Sequence, residues 1–527
     1  MEENKELLVE EKEKQGFKSF DKTLVIIPII FVALISIWFI ASPEGSQVAL
    51  NGIADFFVSK TGWFFLLFAA FITVFSLWWA FGKYGKVKLG GKDAKAKYKF
   101  PLYVAILFCA GMAAGSVIFS MSEWMFYYTG PPFGIEPKSL EAAEMALPYA
   151  YFNWGIAVSS LLMLLGIPYC YSYYIRKNPS LQLGDVAIEM VGSKSKNNKV
   201  IAKIINLVFI ICVLGSLTTT MGLGIPNITK CLVAVFGFTN PMLVSVLFIV
   251  ITAVIFSFSN YLGLSKGLAK LSTITLCIAG FFLAVMLFGG DTLFILNNIT
   301  NSFGQMIQHY PEMAFNADAV FGRGFGQGWT VFFYCYCFGF VAMTAVIIVK
   351  TSFGRTFREM IIGNTMAVPA CLWVMFGINS SNGLSLQLSG KADIISVFEE
   401  QGHHEAIIAV LRESILGPTA GVLVFTVMIV FFVATTMDAA AISLSETSTK
   451  ALKIGDETHP LLRLTWCIVL TLIPLALTFV NAGLSSLQSL ANLLGWPIMV
   501  IGIVVLIHTA KHAGLEKIDK NEDLIAS

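Results

Sequence analysis

The sequence predicts an all-α polytopic membrane protein, and three observations carry that prediction. Of its 527 residues, 56% are hydrophobic and 13% charged, with a mean hydropathy of +0.75. A water-soluble chain of this length needs more charge to cover its surface. Apolar runs long enough to cross a bilayer recur twelve times, at roughly 24–42, 62–82, 101–128, 149–174, 200–225, 241–262, 269–290, 329–350, 360–379, 417–445, 460–480 and 486–509. With the N-terminus placed inside, the inner segments hold 28 Lys and Arg and the outer ones six, Lys60, Lys138, Lys230, Arg323, Lys391 and Arg412. The positive-inside rule has this form, so both termini are expected in the cytoplasm and the chain in the cell membrane. Topology explains the basic runs; the bilayer is the expected partner and a nucleic acid is not.

The first 23 residues read as a charged cytoplasmic tail without a cleavable signal pattern. Residues 24–99 carry two peripheral helices and the Lys-rich loop Lys83–Lys99, with Gly90 and Gly91 in it. Ten runs remain, which divide as five (100–290), an outer segment (291–327) and five more (328–509), before a second short tail (510–527). Inverted repeats of five helices, as in LeuT-like transporters, place their binding site where the repeats meet near the bilayer midplane. One recurrence fits this division. The third run of the first five contains Thr219-Thr220-Met221, and the third run of the second five contains Thr435-Thr436-Met437.

The run from Pro101 to Tyr128 is interrupted by Gly111-Met112-Ala113-Ala114-Gly115. Small residues let helices approach closely; glycines equally permit a break that frees carbonyls for a cation. The same run holds Glu123, and a carboxylate at membrane depth needs a partner. Trp154, in the next run, fits either an interfacial aromatic belt or a ligand contact. The segment 291–327 reads as a loop with an interfacial helix, and 380–416 as a solvated loop. His403 and His404 in the latter are adjacent, so they do not share a helix face, and no third metal ligand is suitably spaced. In the tenth run Asp438 needs a structural partner, such as a helix end or Ser443, or else marks an ion or solute path. Thr435 and Thr436 beside it offer hard oxygens, although such hydroxyls also bond back to their own helix.

The run that opens at Gly328 is the most aromatic stretch of the chain. Trp329, Phe333, Tyr336 and Phe340 fall on one helical stripe, a pattern that core packing also produces. The nine Cys lie in or beside the apolar runs and read as small buried residues; Cys335 and Cys337 point to different helix faces. A membrane enzyme would need a clustered acid, base or metal site, and none is legible. No cofactor is expected.

Taken together, these segments resemble the betaine/carnitine/choline transporter family. Gly328-Trp329-Thr330-Val331-Phe332-Phe333-Tyr334 is similar to its eighth-span signature, and Lys350–Glu359 to the loop that follows. Ala110-Gly111-Met112 with Ser122-Glu123 resembles its glycine-rich third span. Thr219-Thr220-Met221-Gly222-Leu223-Gly224 and Thr435-Thr436-Met437-Asp438 resemble its fifth- and tenth-span patterns. The resemblance implies twelve helices in two inverted repeats, a homotrimer, and import of trimethylammonium or related zwitterionic solutes. For sodium-coupled members it implies an ion between the Cys109 and Met112 carbonyls, Phe432, and the Thr435 and Thr436 hydroxyls. A second ion region would involve Thr219 or Thr220. The seventh run, around Leu271–Leu276, lacks the arginine of the sodium-independent exchangers, which favours ion coupling.

The departures concern the solute. The family's later fourth-span aromatics are Ser159 and Leu162 here, and its eighth-span Trp cluster is Tyr334, Tyr336, Cys337 and Phe340. Each cation–π contact is worth roughly 0.5–2 kcal/mol, so the preferred solute can differ from glycine betaine. The residues expected around the solute are Met112, Glu123, Trp154, Trp329, Phe333, Tyr336, Cys337 and Phe340, in a sodium symporter.

Overall fold

A computed structural model describes residues 20–111, 113–320, 322–450, 454–480 and 484–525. Backbone N–H and C=O groups have no water to pair with in hydrocarbon, so each apolar run closes its hydrogen bonds within a helix. Helices occupy all twelve predicted runs. By length and apolarity, eight of the described helices can cross a membrane, or nine when the bent pair in the third run is taken as one span. Thr23–Trp38 and Pro460–Leu472 are shorter apolar helices. One eligible segment, Pro241–Gly289, carries the sixth and seventh runs together, divided at Gly263, whose φ of +82° turns the chain.

The run boundaries shift where local chemistry sets them. The second run begins far earlier than expected, in a helix from Pro43 to Phe81 with proline in its first turn, where the missing N–H costs nothing. The fourth starts at Leu140, capped by Ser139, whose hydroxyl accepts from the Ala142 N–H at 3.0 Å. The fifth runs from Asn198 to Phe236 and stops at Gly237, which takes the left-handed conformation with φ +66°.

The segment 291–327 carries a helix as expected, whereas 380–416 is more structured than expected. Thr292–Gln308 is a helix capped by Asp291. Residues 380–416 are not a solvated loop: the ninth-run helix continues to Leu388, and Ile394–Gln401 and His403–Arg412 follow as helices. The last of these docks on the fifth run through His404 Nδ1 to Asn227 Nδ2 (2.9 Å) and a Lys230–Glu405 ion pair (2.6 Å). Burial pushes the imidazoles of His403 and His404 down, to about 4 and about 2, with Lys230 adding to both and each ring lying against the other at 3.9 Å. The unfolded chain therefore takes up these protons first as pH falls below about 6.5, and the pair's contribution to stability is whole above that pH and declines below it. Melting temperature is expected to fall between pH 6.5 and 4 more steeply in the wild type than in His404→Gln; parallel pH profiles would refute the assignment.

The eighth-run segment Gly326–Thr351 has its apolar window wholly buried, whereas Pro241–Gly289 faces mostly outward. The aromatic stripe is thus at the centre of the bundle. Beyond the eighth run, the loop through Lys350–Glu359 is tied to the basic loop 83–99 by bridges such as Lys88–Thr356, and the C-terminal segment joins the same strip at Val87–Ile525.

Candidate solute and ion sites

Two helix breaks build the site. The third run stops at Ala110, and its two halves, on either side of Gly111, meet at 74°. The glycine has φ −81° and ψ −98°, a conformation that ends the first helix, and the last carbonyls of a helix have no donors within it. The fourth run breaks at Trp154 and Gly155, where the helix Leu140–Asn153 ends and Ile156–Leu161 begins. The residues at these breaks meet the eighth run.

Trp154, Phe333 and Phe119 form a triangle of rings, with centroids 5.1 Å (Trp154–Phe333), 5.6 Å (Phe119–Phe333) and 5.9 Å (Phe119–Trp154) apart. Phe376 backs Trp154 at 5.3 Å, and Trp329 stacks beside Phe333 at 6.2 Å. Lower on the stripe, Phe340 meets Tyr336 edge-on at 5.0 Å. The expected stripe therefore divides into an upper cluster around Trp154 and a lower pair. In the upper cluster the rings pack on one another, so a solute held there must part them. Cys337 takes a different course: its thiol donates to the Val158 carbonyl at 3.5 Å.

Glu123 is fully buried and organises the upper cluster. Trp154 Nε1 donates to its Oε2 at 2.6 Å, and the Tyr127 hydroxyl to its Oε1 at 2.5 Å. Asn153 Nδ2 donates to the Tyr127 oxygen at 2.8 Å, and the Thr330 hydroxyl to Asn153 Oδ1 at 3.0 Å. One chain of hydrogen bonds thus joins the third, fourth and eighth runs. Above it, Phe325 packs on Tyr127 (5.3 Å) and forms part of a cavity of about 460 Å³, also lined by Phe133, Glu312, Asp318 and Arg323.

The residues expected around an ion are only partly brought together. The Thr436 hydroxyl lies 3.3 Å from the Cys109 carbonyl and 3.1 Å from that of Phe432. Thr435 instead turns its hydroxyl to its own helix, at 2.8 Å from the Phe432 carbonyl and 3.1 Å from that of Phe431. Met112 lies outside the described residues. Thr219 is buried, and the Thr220 hydroxyl bonds the Tyr336 hydroxyl at 3.0 Å, linking the expected second ion region to the lower end of the stripe. Gly115 makes this approach possible: a Cβ there would stand 3.2 Å from the Tyr336 oxygen. Asp438 is not partnered by Ser443, whose buried Oγ has no hydrogen bond. Ser259 and Asn260, at the end of the sixth run, donate to its carboxylate, and Asn260 Nδ2 also reaches its backbone oxygen at 2.9 Å. A partner so distant in the chain could not be read from local spacing.

Sequence reasoning missed Phe119, Tyr127, Asn153, Thr330 and Phe376. For Tyr127 a signal was present, since Glu123 and Tyr127 are four residues apart and share a helix face. The others are ordinary aromatic, amide or hydroxyl positions whose role depends on which helices meet.

Comparison with known proteins places the chain. The betaine/carnitine/choline family of transporters matches residues 23–518. A carnitine transporter of Acinetobacter baumannii is 31% identical over 441 residues, covering 83% of this chain and 79% of that protein. The uncharacterized transporter YeaV of Escherichia coli is 30% identical over 425 residues, 81% and 87% of the two chains. Among solved structures, a substrate-bound, outward-open Na⁺-coupled sialic acid symporter aligns with a TM-score of 0.46 at 12% identity, over 85% of this chain and 86% of that one. On the strength of the family match over nearly its whole length, the chain is a membrane transporter, not an enzyme, and belongs to the betaine/carnitine/choline transporter family.

Proposed function

We propose that the protein is a sodium-coupled symporter that imports a small quaternary-ammonium or related zwitterionic solute. In this reading twelve helices cross the cell membrane as two inverted five-helix repeats, both termini are cytoplasmic, and the assembly is a homotrimer. The observation that carries the sodium assignment is the oxygen cluster at the third-run break, where the Thr436 hydroxyl stands between the Cys109 and Phe432 carbonyls. Carbonyl and hydroxyl oxygens suit a hard cation, and broken helices supply them in transporters of this architecture. The rings of Trp154, Phe333 and Trp329 supply faces for a cationic or methylated ammonium group, and the name of the Acinetobacter relative points to the same solute class. The Thr219–Thr220 region, through Tyr336, is the proposed second ion position.

An ion bridging the third and tenth runs and a solute between the third, fourth and eighth would favour the same closed arrangement. Each would then raise the apparent affinity for the other. Thr436→Ala is expected to raise the sodium concentration for half-maximal uptake about tenfold, equivalent to about 1.4 kcal/mol, with uptake recovering at high sodium. Unchanged sodium dependence would sink the ion assignment. Counterflow in sodium-free proteoliposomes tests the coupling itself, since rapid exchange without sodium would replace symport with antiport.

A further inference from the structure

At the far ends of the eighth and tenth runs a lysine and a glutamate are buried against each other. Lys350 Nζ stands 2.8 Å from Glu446 Oε1, and the two side chains are 8% and 5% exposed. Charged side chains near a helix end ordinarily reach out to water, so this pair must be covered. The segment 454–459, which follows the tenth run, covers it. Lys350 Nζ also donates to the Asp456 carbonyl, the Thr458 N–H to Glu446 Oε1 at 3.4 Å, and the Gly455 N–H to the Tyr173 hydroxyl at 2.7 Å. The hydroxyls of Ser445 and Thr458 bond each other at 2.9 Å. One short segment thus seals the ends of the fourth, eighth and tenth runs over a single ion pair.

The two helices that carry the pair also carry the candidate sites. Tyr336 lies fourteen residues before Lys350, and Thr436 ten before Glu446, about 21 and about 15 Å along an α-helix. The helices pack on one another, so the seam between them leads from the sites to the pair. Thr344 and Ser443 lie on these helices between the two levels, wholly buried and without hydrogen bonds. The same holds of hydroxyls elsewhere, such as Ser76 and Ser272; the ion pair is what sets this seam apart. With both termini cytoplasmic, as proposed above, we infer that Lys350 and Glu446 form the inner gate of the transport path, and that the solute leaves between the eighth and tenth runs when the pair parts. A buried pair keeps its full attraction only while water is excluded, and either ion is costly to leave buried alone. Parting the pair is therefore coupled to wetting the mouth, which gives a closed and an open state. Loss of one charge leaves the other unpaired in the closed state and hydrated in the open one, so it favours opening.

The test follows a cysteine in place of Ser443, three residues from Glu446 and on the same face of its helix. The full-length Ser443→Cys protein is reconstituted in vesicles of each orientation. Its reaction with a membrane-impermeant maleimide is timed from each side, against the parent with its native cysteines alone. Labelling from the inner side is expected to be about tenfold faster when Lys350→Met or Glu446→Gln is added, because each leaves an unpaired buried charge. Lys350→Met/Glu446→Gln leaves none and should return to within about threefold of Ser443→Cys alone, a coupling that the double-mutant cycle reads directly. Where a single variant does not fold, Glu446→Asp decides by the same measurement. It keeps the charge but withdraws the carboxylate by one methylene, and should label at an intermediate rate. A purely structural pair would lower melting temperatures and leave the labelling rates unchanged, which overturns the gate; equal acceleration in single and double variants overturns it too. Acceleration from the opposite face alone keeps the gate and reverses the proposed topology.

Discussion

Glu123→Ala is expected to abolish solute uptake and to lower the melting temperature of the purified protein by more than any other single side-chain truncation in the upper cluster. The carboxylate accepts from Trp154 Nε1 and from the Tyr127 hydroxyl, and all three groups are fully buried. Removing it leaves two donors without an acceptor at membrane depth, where no water substitutes, at about 1–3 kcal/mol each. The functional loss follows from the same bonds. The indole of Trp154 is oriented by Glu123, and its ring is the member of the cluster that touches Phe119, Phe333 and Phe376 together. Glu123→Gln keeps one carbonyl oxygen but presents an NH₂ to the other donor, so it is expected to fall between wild type and Glu123→Ala in both readouts. A wild-type melting temperature for Glu123→Ala would show that the network contributes no stability, and wild-type uptake would remove Glu123 from the site.

How much of this was legible in the sequence depends on the range of the interaction. The helices were legible because hydrocarbon imposes a long apolar run on each. The break in the third run was legible because Gly111 and Gly115 declare it, whereas the break in the fourth has only Gly155, after a Trp154 that fits an interfacial belt as well as a ligand contact. The outer segment 380–416 was misread because its composition is polar; Asn227 and Lys230, distant in sequence, are what draw His404 and Glu405 onto the bundle. Asp438 declared that it needed a partner, but the helix that supplies it, through Ser259 and Asn260, is set by packing. The aromatic stripe was legible as a stripe. Its division, with Trp329 and Phe333 towards Trp154 and Tyr336 towards Thr220, follows from which neighbour each turn of the eighth run meets.

The second large effect is expected at Gly339, one turn below Cys335 on the same helix and on the side facing the fifth run. A Cβ built there would stand 1.4 Å from Ser216 Oγ and 2.3 Å from Ser216 Cβ. Rotating the serine relieves the first clash but not the second, because its Cβ is fixed to the backbone. Gly339→Ala must therefore push the fifth and eighth runs apart. Overpacking of a tight core costs about 1–3 kcal/mol even where neighbours can shift, and here the shift also strains the Thr220–Tyr336 bond formed one turn away between the same two helices. A lower melting temperature and little or no uptake are the expected results. Ser216→Gly removes the obstructing Cβ and an Oγ that has no hydrogen bond, so alone it should cost little. In combination it should return much of the stability of Gly339→Ala, a coupling that only contacting residues show in a double-mutant cycle. If the two substitutions instead add independently, the close approach of these helices is not what glycine serves at this position.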